Sequence, residues 1–447
     1  MNLSPAHSVL FLLLLPASVF AQATTQDVAP PTRETYLRIA GEVEKSLQDD
    51  DLKKFFPAAV DPRGGFFEKH AQDWTHQDPD DTRSVVYQSR LTWLAAQAAM
   101  RYPDQAKAYL DYARHGAQFL AEKQWDTVNG GFWWSVNVDG QPVQPNKHIY
   151  GNAFAIYALA AAYQATHDQT DLDAAKSAFQ WLETHAHDDA HGGYFEQLRA
   201  DGSHVDATDA VGRRGGDVLG AKPGQKTMNA HIHILEALTG LLEVWPDDLL
   251  RKRTEEVYQI GLTRIYADPG YLHQYFSAEW TPAPASDSYG HDIEAAFLFA
   301  EAAAALGKPD DPACWNASRK IVDHCLKVGF DPQSGSLDSE GTIDGSAPPD
   351  KSRVWWVQAE SLNALLLTHE RFGKDDPRYW NAFVREWNFI QSHQIDPAHG
   401  GWYNTLTPDD TPLRSKLAKT DEWTEGYHQG RAMLAVIERL KKLAAGN

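Results

Sequence analysis

The residues best equipped for chemistry stand at the starts of apolar helical stretches. In Lys226–Leu238 the apolar side is marked by Ile234, Leu235 and Leu238. Asn229 and His233, four apart, share one face of that helix, while His231 points away from them. Comparable openings carry Arg90, Tyr150, His291 with Glu294, Trp356 with Glu360, and His428 with Arg431. Polar groups entering a buried helix are costly unless they hydrogen-bond or react. Two neutral histidines on opposite sides of a bound carbon can take a proton from one face and return it to the other. Arg90 could hold the oxyanion of the enediolate formed between those steps. Glu294, one turn from His291, could orient that imidazole, and Trp356, Trp402 and Trp423 offer flat faces to a sugar ring.

Other chemistries use overlapping residues. His231, His233 and Glu236 resemble a metal triad, but i and i+2 diverge by roughly 200° on a helix, so no metal is expected there. Paired carboxylates among Asp292, Glu294, Glu360 and Glu425 would suit a glycoside hydrolase. A non-catalytic sugar-binding protein would explain the tryptophans and leave His233, His291 and His428 without a purpose. His70, His191, His273 and His399 fall in or near turns and read as structural.

The elements that must position these groups repeat. A turn of the form Asp, a few residues, Gly, then an aromatic or Leu begins at Asp61, Asp126, Asp189, Asp268, Asp331 and Asp396. A period of this length is read first as a repeat architecture. Ala- and Leu-rich helical stretches lie between the turns, such as 90–100, 153–165, 293–306 and 361–369. Six helix pairs that cannot bury their apolar faces alone close most simply into a ring, an all-α (α/α)6 toroid with short β-hairpin loops. The alternative is an open solenoid. In the toroid, the starts of the second helices converge on one mouth, and their N-termini favour negative charge there. The third repeat is lengthened by 201–225, which reads as a lid over that mouth or as a surface loop.

The 447 residues, 43% hydrophobic, can bury a large core, and a net charge of −20 argues against nucleic acid or an anionic membrane as partner. The apolar run Val9–Leu15, broken by Pro16 and followed by Val19-Phe20-Ala21, predicts a signal peptide over 1–21. A flexible lead over 22–33 and a single catalytic domain over 34–447 follow, in an exported protein, monomeric or dimeric. Cys314 and Cys325, if they share a helix, are too far apart for a disulfide and read as buried thiols.

At Lys147-His-Ile-Tyr-Gly-Asn152, Met228-Asn-Ala-His-Ile-His233, Gly290-His-Asp-Ile-Glu294, Trp355-Trp-Val-Gln-Ala-Glu360 and Tyr427-His-Gln-Gly-Arg431 the chain resembles the N-acylglucosamine 2-epimerase superfamily, and within it the cellobiose 2-epimerases. The resemblance implies an (α/α)6 barrel that epimerises or isomerises a reducing sugar at C2 without a cofactor. It implies His291 and His428 as the acid/base pair, His233 in ring opening, and Arg90 at the substrate oxygens near C1 and C2. Asn229, Glu294, Trp356 and Trp423 match binding or orienting positions, and Tyr150, Glu360 and Trp402 complete the expected sugar contacts. The expected substrate is a β-linked disaccharide such as cellobiose; mannose or an N-acylglucosamine is the alternative. The chain departs from the pattern in lacking a Lys between Trp423 and His428.

Overall fold

A computed structural model describes residues 28–77, 81–208, 217–346 and 351–446. The expected signal segment and lead residues 22–27 lie outside the described residues. The rest of the lead is docked: the Trp380 indole donates to the Ala29 carbonyl at 2.7 Å, and Thr32 caps a helix beginning at Arg33.

That helix, α1 (Arg33–Ser46), is followed by α2 (Val85–Arg101) and α3 (Ala106–Phe119), then α4 (Ile149–Thr166) and α5 (Gln169–His185). Next come α6 (Met228–Val244), α7 (Asp248–Ile260), α8 (Tyr289–Ala305) and α9 (Pro312–Val328). The chain ends with α10 (Trp355–Phe372), α11 (Arg378–Phe389) and α12 (Tyr427–Ala445). Even-numbered helices form the inner ring and, except for the amphipathic C-terminal half of α12, are apolar around most of their circumference. Odd-numbered helices are amphipathic and lie outside. In α11, for example, Tyr379, Trp380, Phe383 and Trp387 are buried while Arg378, Asn381 and Asn388 face out. Each inner helix packs on the next, α12 packs on α2, and α1 covers α12, so the ring is closed. This is the (α/α)6 toroid.

Short strands lock neighbouring repeats together. Thr82–Ser84 pairs with Ser135–Asn137, Lys147–His148 with Gln197–Leu198, Lys226–Thr227 with Tyr275–Phe276, and Arg353–Val354 with Thr405–Leu406. Single bridges, Asp287 to Gly341 and His70 to Thr420, make the two remaining joints.

The repeated aspartates are structural. Asp126 Oδ1 accepts from the Val128 amide at 2.9 Å, and Gly130 and Gly131 follow with φ of 71° and 73°, the left-handed region that favours glycine. A Cβ on Gly131 would also stand 2.7 Å from Trp181. In the third repeat this role belongs to Asp188, one residue before the Asp189 expected from sequence; Asp189 is 94% exposed. Each buried turn carboxylate meets a cation that, with one exception, lies two residues before an inner helix. Arg83–Asp61, Lys147–Asp126 and Lys226–Asp188 are each 2.7 Å apart, as is Lys419–Asp396, where the lysine lies further upstream.

A second tether runs from the fourth residue of each of five inner helices. Gln88, Asn152, His231, Asp292 and Gln358 accept the backbone N–H of Phe66, Phe132, Tyr194, Leu272 and Leu337 at 2.7 to 3.1 Å. Cys314 and Cys325 are buried, free thiols on α9. Among the described residues, no helix is long and apolar enough to cross a membrane.

Candidate active site

The converging helix starts form two tiers rather than the single ring suggested by repeat spacing. Tyr150, Asn229, Trp356 and His428 are second residues of their helices, and His291 is a third. Arg90, Phe154, His233, Glu294 and Glu360 are sixth residues, about one turn or 6 Å deeper. The upper tier surrounds a pocket of about 390 Å³ whose floor is made by Arg90, His233 and Glu294.

Beneath the floor lies Arg431, the fifth residue of α12. Its guanidinium donates to Glu236, to Glu294 and, at 2.8 Å, to Glu360. Glu236 also accepts from the Tyr427 hydroxyl at 2.5 Å and lies 2.9 Å from His233 Nδ1. Burial alone would raise the Glu236 carboxyl, but Arg431 and then His233 hold it down at about 2. Glu360 goes the other way: burial pushes it well above the usual carboxylate range against the pull of Arg431.

His291 and His428 are held alike. Nδ1 of His291 lies 2.7 Å from Ser288 Oγ, and Nδ1 of His428 lies 2.5 Å from Glu360 Oε1. Their Nε2 atoms are left for a ligand in the pocket. Burial lowers His291 to about 4. Burial, then Arg90 and Arg431, put His428 well below the usual histidine range. Both are therefore neutral at pH 7. The Trp356 ring lies between them, its centroid 4.7 Å from His291 and 5.6 Å from His428.

Arg90 is fixed by Glu425 at 3.0 Å and the Tyr150 hydroxyl at 2.9 Å, with its guanidinium 4.3 Å over the Phe154 ring. Its Nε has no partner among the described residues, nor does Asn229 Oδ1; both atoms are buried. At the rim, Trp423 lies 6.3 Å from Tyr150 and 5.9 Å from Trp134, extending an aromatic shelf outward. The third-repeat insertion contributes Val218 and Leu219 to the wall, and His148 anchors it through Asp217 at 2.7 Å.

Nine of the expected site residues line this pocket: Arg90, Tyr150, Asn229, His233, His291, Glu294, Trp356, Trp423 and His428. Glu360 lies just beneath it, behind His428. Trp402 does not reach it: that side chain follows a Gly-Gly turn, bridges Ile395 and packs in the core, as Phe132 and Tyr194 do in their repeats. Glu294 does not hydrogen-bond His291 as expected; it receives Arg431, with Oε2 4.0 Å from His233 Nε2. The metal triad does not assemble either, because His231 faces the turn and bonds the Tyr194 amide and the Thr227 carbonyl. Sequence reasoning missed Trp134, Tyr427 and the hub role of Arg431; the signal for the last is an arginine inside an apolar helix, three residues after His428.

Glu294, Glu360 and His428 bring donor atoms within 4.8 Å of one another, but Arg431 already supplies positive charge to both carboxylates. Nor does a hydrolase pair form. Glu294 and Glu360 share Arg431, Glu425 is spent on Arg90, and Asp292 faces the outer ring.

The N-acylglucosamine 2-epimerase (GlcNAc 2-epimerase) family model matches residues 65–205 and 219–429. A cellobiose 2-epimerase of Dictyoglomus turgidum is 30% identical over 369 residues, covering 81% of this chain and 89% of that protein. A D-mannose isomerase of Marinomonas mediterranea is 25% identical over 407 residues, covering 86% and 94%. The solved structure of cellobiose 2-epimerase from Spirochaeta thermophila superposes with a TM-score of 0.80 at 33% identity, covering 92% of this chain and 98% of that one. With a neutral histidine pair over an arginine-held floor in a closed six-hairpin ring, the chain belongs to the N-acylglucosamine 2-epimerase family and is an isomerase of that class.

Proposed function

We propose that the protein interconverts the C2 epimers glucose and mannose at the reducing end of a β-linked disaccharide such as cellobiose, through a cis-enediolate. The observation that carries this reading is the pair of neutral histidines, His291 and His428, on either side of Trp356, each with Nδ1 already engaged and Nε2 left for the substrate. His233, backed by Glu236, relays the anomeric hydroxyl proton to the ring oxygen and opens the ring. One of the paired histidines then removes the C2 proton, and the electron pair moves toward O1, where Arg90 stabilises the oxyanion. Rotation about C2–C3 presents the other face, and the second histidine returns a proton there. One proton leaves carbon and one comes back, so there is no net oxidation. Delivery to C1 instead would give the ketose, making isomerisation the natural side reaction.

The aromatic shelf from Tyr150 through Trp423 to Trp134 supports a substrate longer than one sugar, as do the cellobiose 2-epimerases among the relatives. Proton NMR in D2O with cellobiose, mannobiose, mannose and N-acetylmannosamine in separate tubes tests the reading. The expected result is the 2-epimer of cellobiose with deuterium at C2. Turnover of mannose alone would move the assignment to a monosaccharide isomerase, and free glucose without label would refute it.

Export is the second part of the proposal, resting on the apolar run Val9–Leu15 and the small-residue site at Ala21. N-terminal sequencing of the protein recovered outside the cytoplasm should begin at Gln22.

A further inference from the structure

The fourth repeat breaks both structural rules of the ring. Two residues before the inner helix, where four other repeats place Arg83, Lys147, Lys226 and Arg353 and the last has Glu425, this one has Asp287. At the fourth helical position, where the tether is otherwise a neutral amide or imidazole, it has Asp292. Its turn is shortened to Asp268-Pro-Gly-Tyr, and Asp268 faces solvent beside Lys320, so no turn aspartate is there to be neutralised. Facing the two carboxylates from the outer ring is His324 of α9, with Nε2 2.8 Å from Asp287 Oδ2.

All three side chains are buried: Asp287 and Asp292 are 0% exposed and His324 is 4% exposed. Asp287 Oδ1 and Asp292 Oδ2 receive no donor from any other described residue, and the two carboxyls face each other closely enough that burial and Asp287 hold Asp292 well above the usual carboxylate range. One donor atom from each of the three lies within 4.8 Å of the others. Two carboxylates without a compensating charge are a costly thing to bury, and the other repeats avoid it with a lysine or arginine of their own.

We propose that Asp287, Asp292 and His324 form a site for one small divalent cation, which takes the place of the side-chain cation used elsewhere in the ring. Two carboxylate oxygens and an imidazole nitrogen suit Zn2+ or Mn2+. The bound ion would clamp the start of α8, with its N-cap Ser288 and first-turn His291, to outer helix α9. Its role is structural, and its site is separate from the sugar pocket.

The test is metal analysis of the full chain purified after growth in medium supplemented with Mn2+ or Zn2+ and then desalted. About one equivalent per chain is expected, with a melting temperature a few degrees above that of chelator-treated protein. Asp292→Asn and His324→Gln should each lose the ion, whereas His428→Ala and His148→Ala, which disrupt the two other His–carboxylate clusters, should keep it. If the first two variants do not fold, X-ray absorption at the zinc edge of the unmutated protein decides, with one imidazole and two carboxylates expected in the shell. Less than a tenth of an equivalent would overturn the proposal, as would retention in Asp292→Asn or a different ligand shell. An Asp292→Asn protein that is stabilised in chelator with no ion bound would also overturn it, showing that a shared proton fills the site.

Discussion

His428 Nδ1 lies 2.5 Å from Glu360 Oε1, and the proton in that bond decides what the outward nitrogen can do. With the proton on Nδ1, His428 Nε2 is a base; with it on Glu360, Nε2 carries hydrogen and is an acid. Burial raises Glu360 and lowers His428, so both shifts favour the proton on Glu360 in the free enzyme. Glu360→Gln keeps a hydrogen bond but removes this exchange. Its kcat should fall by about 10- to 100-fold with little change in KM. A loss confined to KM would contradict the assignment.

His291→Ala and His428→Ala should each lower kcat by on the order of 100-fold or more. With one histidine left, exchange of the C2 proton with D2O should persist on one epimer while epimerisation stops. Mass spectrometry of the recovered substrate reads the first, and chromatography the second.

The pH profile follows from the lowered histidines. A base works when deprotonated, so a pKa of about 4 at His291 moves the acid limb of kcat/KM well below the usual histidine value. A limb near 6.5 would refute the burial argument. Stability moves with it. An unfolded chain takes up these protons near pH 6.5 and the folded one does not, so stability is full above that pH and is lost as pH falls toward 4.

Arg431 donates to three buried carboxyl groups at once and is the cation nearest to them. Arg431→Met leaves them without a cation and should cost roughly 3–5 kcal/mol or more. Thermal melting should show a fall of many degrees. A variant melting within 2 °C of the parent would show that the hub is not structural.

Trp402 and Trp423 should separate cleanly. Trp402→Ala empties core volume, with an expected loss of about 3–5 kcal/mol and unchanged KM in the folded fraction. Trp423→Ala should raise KM for the disaccharide several-fold with little change in melting temperature.

The ring was legible because a repeat writes its period into the chain, and the pocket because helix starts carry residues that a buried helix otherwise rejects. Depth was harder to read. Repeat spacing set Arg90 and Tyr150 in one ring, yet they are the sixth and second residues of their helices and sit a turn apart. Trp402 was misplaced because an aromatic after a Gly-Gly turn looks alike in sequence whether it faces sugar or core. Glu294 was paired with His291 by proximity in sequence, but the nearest cation in space, Arg431, comes from another helix. Contacts of that range leave no spacing to read.

The joint between His70 and Thr420 has a consequence for how the protein is made. Arg90 and its partner Glu425 stand on opposite sides of this seam, so the catalytic centre joins side chains 335 residues apart in the chain. A nascent chain has neither a finished barrel nor a working pocket until its last helix is released. A secretory route that threads unfolded polypeptide would therefore deliver an inactive strand, and activity would arise only where the two ends meet.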